Sequence, residues 1–271
     1  MNEYFGIDIH ANTISYNPNH QLNMYTNDIN NPKLVDFSNN VKGGKFKVYS
    51  IFYKQDELNR TVKGDGNPLI NALKNKGDYK FATKEDENSI YNIIEVVCST
   101  LKGMFDTIVV CKSSKELNYT FADLLSKASG CDTVITDLFF KLPCDGVFNR
   151  DIAPKEAELK SQRFRNGMSY YDYFVQAFND MRNNNNGIFT YSSIKNPNLR
   201  KYVQNSIDIS AEAISQYSNV INGKRVVIID DVLTSGRTLS ETSKYLLNNF
   251  KPIDVVFLTI VGPYKDKEIE I

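Results

Sequence analysis

The stretch RVVIIDDVLTSGRTLSE, residues 225–241, limits the possible folds of this chain more than any other. Four aliphatic residues run into Asp230 and Asp231, and a loop with hydroxyl side chains and Gly236 follows. Such an unbroken aliphatic run is typical of a parallel strand that is covered on both faces. Ligands of open α/β folds bind at the carboxyl ends of such strands. We therefore expect the two carboxylates to line a ligand site.

The flanking sequence alternates between strand and helix patterns. DTIVVC and DTVITDLFF predict short strands, and ELNYTFADLLSKASG between them predicts a helix that ends at Gly130. DENSIYNIIEVVCSTLKGMF predicts a helix capped by Asp86 or Ser89, with an apolar face that extends to Met104. After RVVIID, a helix over about 238–250 and the strand IDVVFLTIVG complete the pattern. This order predicts an α/β fold with a parallel sheet and helices on both faces.

The domain organisation follows from where this alternation begins and breaks. Residues 1–85 are predicted to form a small β-rich appendage, whose clearest strand is KFKVYSIFY. Residues 86–271 are predicted to form the core, with a long insertion at about 141–209. Within the insertion, Ser169 and Asp172 form the pattern of a capping box that begins a helix.

Composition excludes several classes of function. The 32 basic and 32 acidic residues cancel, which argues against a nucleic-acid partner or a membrane surface. No run approaches the length of a membrane-spanning helix and no targeting segment is evident, so a cytoplasmic protein is expected. Two histidines and four dispersed cysteines argue against a histidine triad, a zinc site and a disulfide framework.

The loop after the two aspartates suits a phosphate. It enters the N-terminus of the predicted helix, where backbone N–H groups and the helix dipole favour an anion. The carboxylates suit ribose hydroxyls or a hydrated Mg²⁺, and no GxxxxGK[ST] or GxGxxG motif is present. The predicted phosphate-binding residues are Thr234, Ser235, Gly236, Arg237 and Thr238.

VVIIDDVLTSGRT, residues 226–238, resembles at every position the 5-phosphoribosyl-1-diphosphate (PRPP) signature of the type I phosphoribosyltransferases. The resemblance implies a glycosyltransferase that moves the phosphoribosyl group of PRPP to a nucleobase-like acceptor, in nucleotide salvage or synthesis, with Mg²⁺ as cofactor. It implies that Asp230 and Asp231 are catalytic, bind the ribose and hold the metal through water. It also implies that the TSGRT loop binds the 5′-phosphate. The resemblance covers about 105–262, within which the insertion at about 140–210 is placed but not matched.

Two further segments occupy places where this family binds pyrophosphate. VVCKSSKE supplies Lys112, Ser113, Ser114 and Lys115, although a solvated polar turn also explains it. In the insertion, KSQRFRNG supplies Lys160, Arg163 and Arg165, which could reach the diphosphate when a loop closes, although a charged helical face also explains them. Lys112 and Arg163 complete the predicted catalytic set.

The acceptor pocket, or hood, cannot be aligned from sequence. Tyr264 could stack on a base, although an aromatic residue packed on the core also explains it. VKGDGNPLINALK, residues 62–74, is a second candidate, and a turn with a helix that begins at Pro68 explains it equally well. Whether residues 1–85 contribute to the hood stays open.

Two alternatives to a transferase follow from the same resemblance. One is a regulator that senses PRPP without catalysis and binds RNA, DNA or protein. The other is a diphosphokinase that makes PRPP, for which the sequence shows no ATP-site pattern. A homodimer is compatible with each of the three.

Overall fold

A computed structural model describes most of the chain. The described residues are 4–10, 12–20, 25–27, 31–42, 46–54, 67–75, 77–111, 116–184, 186–233, 236–264 and 268–269. The strands are β1 Tyr4–His10, β2 Thr13–His20, β3 Tyr25–Thr26, β4 Val35–Asp36, β5 Lys47–Lys54, β6 Lys80–Phe81, β7 Thr107–Val110, β8 Val134–Ile135, β9 Phe140–Lys141, β10 Ile207–Asp208, β11 Arg225–Val232 and β12 Asp254–Tyr264. The α-helices are α1 Pro68–Leu73, α2 Lys84–Ser99, α3 Leu117–Ser129, α4 Cys144–Val147, α5 Glu156–Ser161, α6 Tyr170–Asn184, α7 Ala211–Ile221 and α8 Arg237–Asn249.

The predicted parallel sheet is confirmed. Its strand order is β6-β2-β1-β3-β5-β12-β11-β7-β8, with β4 paired to β5. The pairs β5–β12, β12–β11, β11–β7 and β7–β8 are all parallel, so these five strands share one carboxyl edge. Strand β11 lies inside this group, between β12 and β7.

Strand β11 is buried on both faces, as its aliphatic run predicts. Val227 and Ile229 belong to the core cluster that includes residues of α1, α2 and α3. Val226 and Ile228 have no exposed area at all, and successive side chains of a strand point to opposite faces. The mixed α/β class with a central parallel sheet flanked by helices is therefore confirmed.

The end predicted for α3 is confirmed, whereas the cap and the apolar face predicted for α2 need correction. Helix α3 ends at Gly130, which adopts the left-handed conformation with φ of 72°, as predicted. Helix α2 is capped by Thr83, with Asp86 as the third residue of a capping box, so the predicted caps Asp86 and Ser89 are wrong. Met104 lies beyond the end of α2 and is exposed, which corrects its assignment to the apolar face.

The first 85 residues do not form a separate appendage. Strand β5 pairs in parallel with β12 over most of its length, and buried hydroxyls of Ser50 and Thr259 on these strands lie 2.7 Å apart. The chain divides instead into a first unit of 1–138 and 214–271 and a second unit of 139–213. Residues 1–85 are thus part of the unit that contains β11, because their apolar strand completes the parallel sheet.

The second unit closely coincides with the predicted insertion at 141–209. It has its own apolar core, which includes Phe174 and Phe178 of α6. The predicted capping box precedes α6, where the Asp172 backbone N–H donates to Ser169 Oγ at 3.0 Å. DTVITDLFF, predicted as one strand, is instead divided between the two-residue strand β8 and the start of β9.

None of the helices in the described ranges combines the length and apolar character needed to cross a membrane.

Gly262 of β12 is predicted to be intolerant of any side chain. A Cβ there would lie 2.4 Å from Cε2 of the buried Phe37 ring and 2.7 Å from Ser50 Oγ. We expect Gly262→Ala to lower the free energy of unfolding by about 1–3 kcal/mol, because the core is overpacked. Gly146→Ala is the control, since nothing lies within 4 Å of its added Cβ. Equal stability of the two variants in urea denaturation would contradict this packing.

Arg225 and Asp106 form an ion pair that predicts a pH dependence of stability. Arg225 donates to Asp106 from its backbone N at 2.9 Å, Nε at 3.1 Å and Nη2 at 2.7 Å. These bonds lower the pKa of Asp106 from 3.8 to about 2. Because the folded pKa is depressed, the stabilisation is complete above pH 3.8 and is lost as pH falls through about 2. Urea denaturation should show Arg225→Met less stable than wild type at pH 7, with the difference shrinking toward pH 2. A constant difference would contradict the assignment.

Candidate functional site

The carboxyl end of β11 carries the two predicted acids. Asp230 pairs with Thr259 of β12 in the parallel register, and both Asp230 and Asp231 are partly buried. On the other side of β11, β7 is paired up to Val110, and the Cys111 backbone N–H donates to Ile229 O at 2.9 Å. The strand ends that the sequence predicted to meet at one edge therefore do so.

Asp230 is held by two hydrogen bonds. Its Oδ1 accepts from Asn118 Nδ2 at 3.1 Å and from the Asp231 backbone N–H at 2.9 Å. Asn118 is fully buried in the first turn of α3, and its Nδ2 also donates to Cys111 O at 3.0 Å. The Asn118 amide thus connects the end of β7, through the Cys111 carbonyl, with the end of β11, through the Asp230 carboxylate.

The surroundings of Asp230 oppose its negative charge. Burial, and then the neighbouring charge of Asp231, raise the pKa of the Asp230 carboxyl well above its ordinary value. The hydrogen bonds from Asn118 and the Asp231 backbone, and the charge of Lys74, act in the opposite direction. Functional sites commonly contain an acid whose pKa is strongly perturbed by burial and by a neighbouring charge.

Asp231 forms an ion pair with Lys74. Lys74 Nζ contacts Asp231 Oδ2, and the two side chains are only 14% and 15% exposed. The residues are 157 positions apart in the chain, and Lys74 directly follows α1. The amino-terminal part of the chain therefore places a cation at the end of β11.

Helix α8 begins beside the acids in sequence and provides the predicted phosphate-binding terminus. Gly236 caps it with φ of 81°, a conformation that favours glycine, and its carbonyl accepts the first helical bond from Ser240 N at 2.7 Å. The first N–H groups of an α-helix have no intrahelical acceptor. Arg237 and Thr238 are the first two helical residues and are partly buried, while Thr234 and Ser235 lie outside the described residues.

A comparison with known protein families finds a match that includes the carboxyl end of β11 and the start of α8. A family model described as phosphoribosyl transferase domain matches residues 188–269, which include β11, α8 and β12. The resemblance to the type I phosphoribosyltransferases is confirmed. The match covers less than a third of the 271 residues. Neither a curated protein nor a solved structure matches the chain significantly.

The pyrophosphate-binding residues predicted in VVCKSSKE, outside the signature, stay predictions. Lys112, Ser113, Ser114 and Lys115 lie outside the described residues, between Cys111 at the end of β7 and the start of α3.

The basic residues of KSQRFRNG lie in the second unit and are exposed. Arg163 Nη1 donates to Gly167 O at 2.8 Å within its own turn, and Lys160 forms an ion pair with Glu156. Only Lys160 lies on a helix, α5, so the alternative of a charged helical face does not apply to Arg163 or Arg165. The role of Arg163 at the diphosphate stays a prediction.

The structure describes only part of each of the two acceptor-pocket candidates, Tyr264 and residues 62–74. The backbone of Tyr264 ends β12, and its side chain lies outside the described part. Of VKGDGNPLINALK, the residues before Asn67 lie outside it as well, and a helix begins at Pro68 as predicted. The residue of this stretch that contacts the acids is Lys74, at its other end.

Sequence reasoning did not select Asn118 or Lys74. Asn118 had a detectable signal, because it shares the i, i+3 and i+7 positions of α3 with the buried Phe121 and Leu125. A polar residue on an apolar helix face requires a buried partner. For Lys74 the sequence gives no signal of its partner.

Asn118→Ala is predicted to destabilise the protein. The substitution removes the two hydrogen bonds that Asn118 Nδ2 donates, one to Cys111 O and one to the Asp230 carboxylate. Both acceptors then lack this donor in a buried environment. We expect a loss of about 2–3 kcal/mol in the free energy of unfolding. Asn249→Ala is the control, since exposed Asn249 also donates from Nδ2 to a backbone carbonyl, Tyr245 O at 2.8 Å. Similar losses for the two variants in urea denaturation would contradict the role of Asn118.

Proposed function

We propose that this protein transfers the 5-phosphoribosyl group of PRPP to a nucleobase-like acceptor and releases pyrophosphate. The observation that carries the proposal is the placement of Asp230 and Asp231 near the carboxyl end of the buried strand β11, with the helix terminus at Gly236 five positions after Asp231 in the chain. Carboxylates and a helix N-terminus are complementary to the two ends of a ribose 5-phosphate. The family match over 188–269 supports the same assignment.

The donor set at the end of β11 fits a Mg²⁺ that arrives with its substrate. Across the described residues, no group of three or more His, Cys, Asp and Glu side chains could hold a metal ion. Mg²⁺ commonly binds through one or two carboxylates, waters and substrate phosphates, and Asp230 with Asp231 supplies that number. When bound, Mg²⁺ would neutralise charge on the diphosphate.

The residues of the chain would act mainly by position and charge. In the proposed reaction the bond from ribose C1 to the pyrophosphate oxygen breaks, and the electron pair leaves with pyrophosphate. A ring nitrogen of the acceptor forms the new bond to C1 and gives its proton to solvent. Asp230 and Asp231 would hold the ribose hydroxyls through this change and stabilise the positive charge that develops on the ring.

The pyrophosphate side is proposed to involve the residues between β7 and α3. Cys111, which precedes Lys112 in the chain, is hydrogen-bonded to Ile229 of β11 and to Asn118, the amide that also bonds Asp230. Lysine ammonium groups and the start of α3 suit a leaving diphosphate.

The double variant Asp230→Asn with Asp231→Asn tests the proposal. We expect calorimetry to show Mg²⁺-dependent binding of PRPP to the wild type. In assays of the wild type with a panel of nucleobases, we expect one nucleobase to support pyrophosphate release. The rate of this release should fall at least about a hundredfold in the variant, because the side chains that contact the ribose lose their charge.

The control is Asp106→Asn with Asp254→Asn, which removes two carboxylates near the amino ends of strands of the same sheet. Its turnover should stay close to wild type, and circular dichroism checks the fold of both proteins. A wild type that does not bind PRPP with Mg²⁺ would exclude the proposed function. PRPP binding without pyrophosphate release from any base would instead favour a sensor.

A further inference from the structure

Lys74 gives the first 85 residues a direct place in the site. We propose that Lys74 is a positioning residue for PRPP, which orients the Asp231 carboxylate toward the ribose and lowers the negative charge that the substrate meets. The inference rests on the proposed function and adds a part of the chain outside the matched residues 188–269. Lys74 would act through Asp231, with which it forms the ion pair.

The helix that precedes Lys74 is fixed in the core. Leu69, Ile70 and Leu73 of α1 are buried, and they belong to the same cluster as Ile229, the residue before Asp230. The apolar face of α1 therefore determines where the chain can place Lys74. A surface lysine that met a carboxylate by chance would not have such a support.

The backbone conformation at Lys74 is also fixed by its contact with α1. Its N–H donates to Ile70 O at 3.0 Å as the C-cap residue of α1, and the next residue, Asn75, adopts the left-handed conformation with φ of 48°. Both side chains of the ion pair are at least 85% covered, as their exposures of 14% and 15% show. Lys74 therefore pays little further conformational entropy to hold Asp231.

The charges at the end of β11 explain why a cation is needed. Asp230 and Asp231 are adjacent near the carboxyl end of β11, so this end of the strand carries two carboxylates. PRPP itself carries a phosphate and a diphosphate, which two carboxylates would repel. Lys74 places a positive charge against Asp231 and so opposes this repulsion.

The ion pair leaves Asp231 able to bind a sugar. Lys74 contacts Oδ2, and a carboxylate has about four acceptor positions on its two oxygens. A ribose hydroxyl can therefore donate to Asp231 while the ammonium group stays in place.

Lys74→Met and Lys74→Arg test the inference by calorimetric titration of each full-length protein with PRPP and Mg²⁺. Lys74→Met keeps the length of the side chain without its charge, and we expect PRPP binding to weaken at least about tenfold. Lys74→Arg keeps the charge and should restore binding to within about threefold of wild type. A residue with a purely structural role would not give this rescue.

Arg225→Met is the matched control, because it removes an ion pair from the opposite end of the same strand. It should lower the melting temperature and leave the dissociation constant of PRPP unchanged. Lys74→Met that binds PRPP as tightly as wild type, or a loss in Arg225→Met of equal size, overturns the inference while the proposed function stands. If the wild-type protein does not bind PRPP, both the inference about Lys74 and the proposed function are wrong. If Lys74→Met does not fold, Lys74→Gln is titrated in its place, with the same outcomes.

Discussion

The parallel pairing of β11 with β7 and β12 brings Asp230 and Asp231 to the end of a strand whose four preceding residues, 226–229, are buried. Two adjacent carboxylates in such a place carry a cost in desolvation and mutual repulsion. The chain offsets that cost with an amide donor from α3 and an ammonium group from the end of α1. These contacts determine the geometry that a ribose would meet.

The amino-terminal region has a larger role than an appendage. Its strand β5 extends the parallel sheet beyond β12, and α1 packs into the same core as β11. Because Lys74 leaves α1 at the acids, the first 85 residues contribute both to the sheet and to the site. The family match over 188–269 contains the acids but none of this support.

The sequence predicts those features that local patterns encode. The aliphatic run and the acids predict β11 and the two carboxylates near its carboxyl end, and the apolar spacing with Gly130 predicts α3 and its end. The Lys74–Asp231 pair and the place of β5 depend on contacts between distant parts of the chain, which a local pattern does not specify. The helix cap at Thr83 was missed because Asp86, the other member of the capping box, has the same preference for helix N-termini.

A crystal structure of the protein with PRPP and Mg²⁺ tests the central claim most directly. The account predicts that the ribose hydroxyls lie within hydrogen-bond distance of the Asp230 and Asp231 carboxylates, with the 5′-phosphate at the start of α8 and Lys74 still beside Asp231. PRPP bound elsewhere, or bound with its ribose away from both carboxylates, would contradict the account.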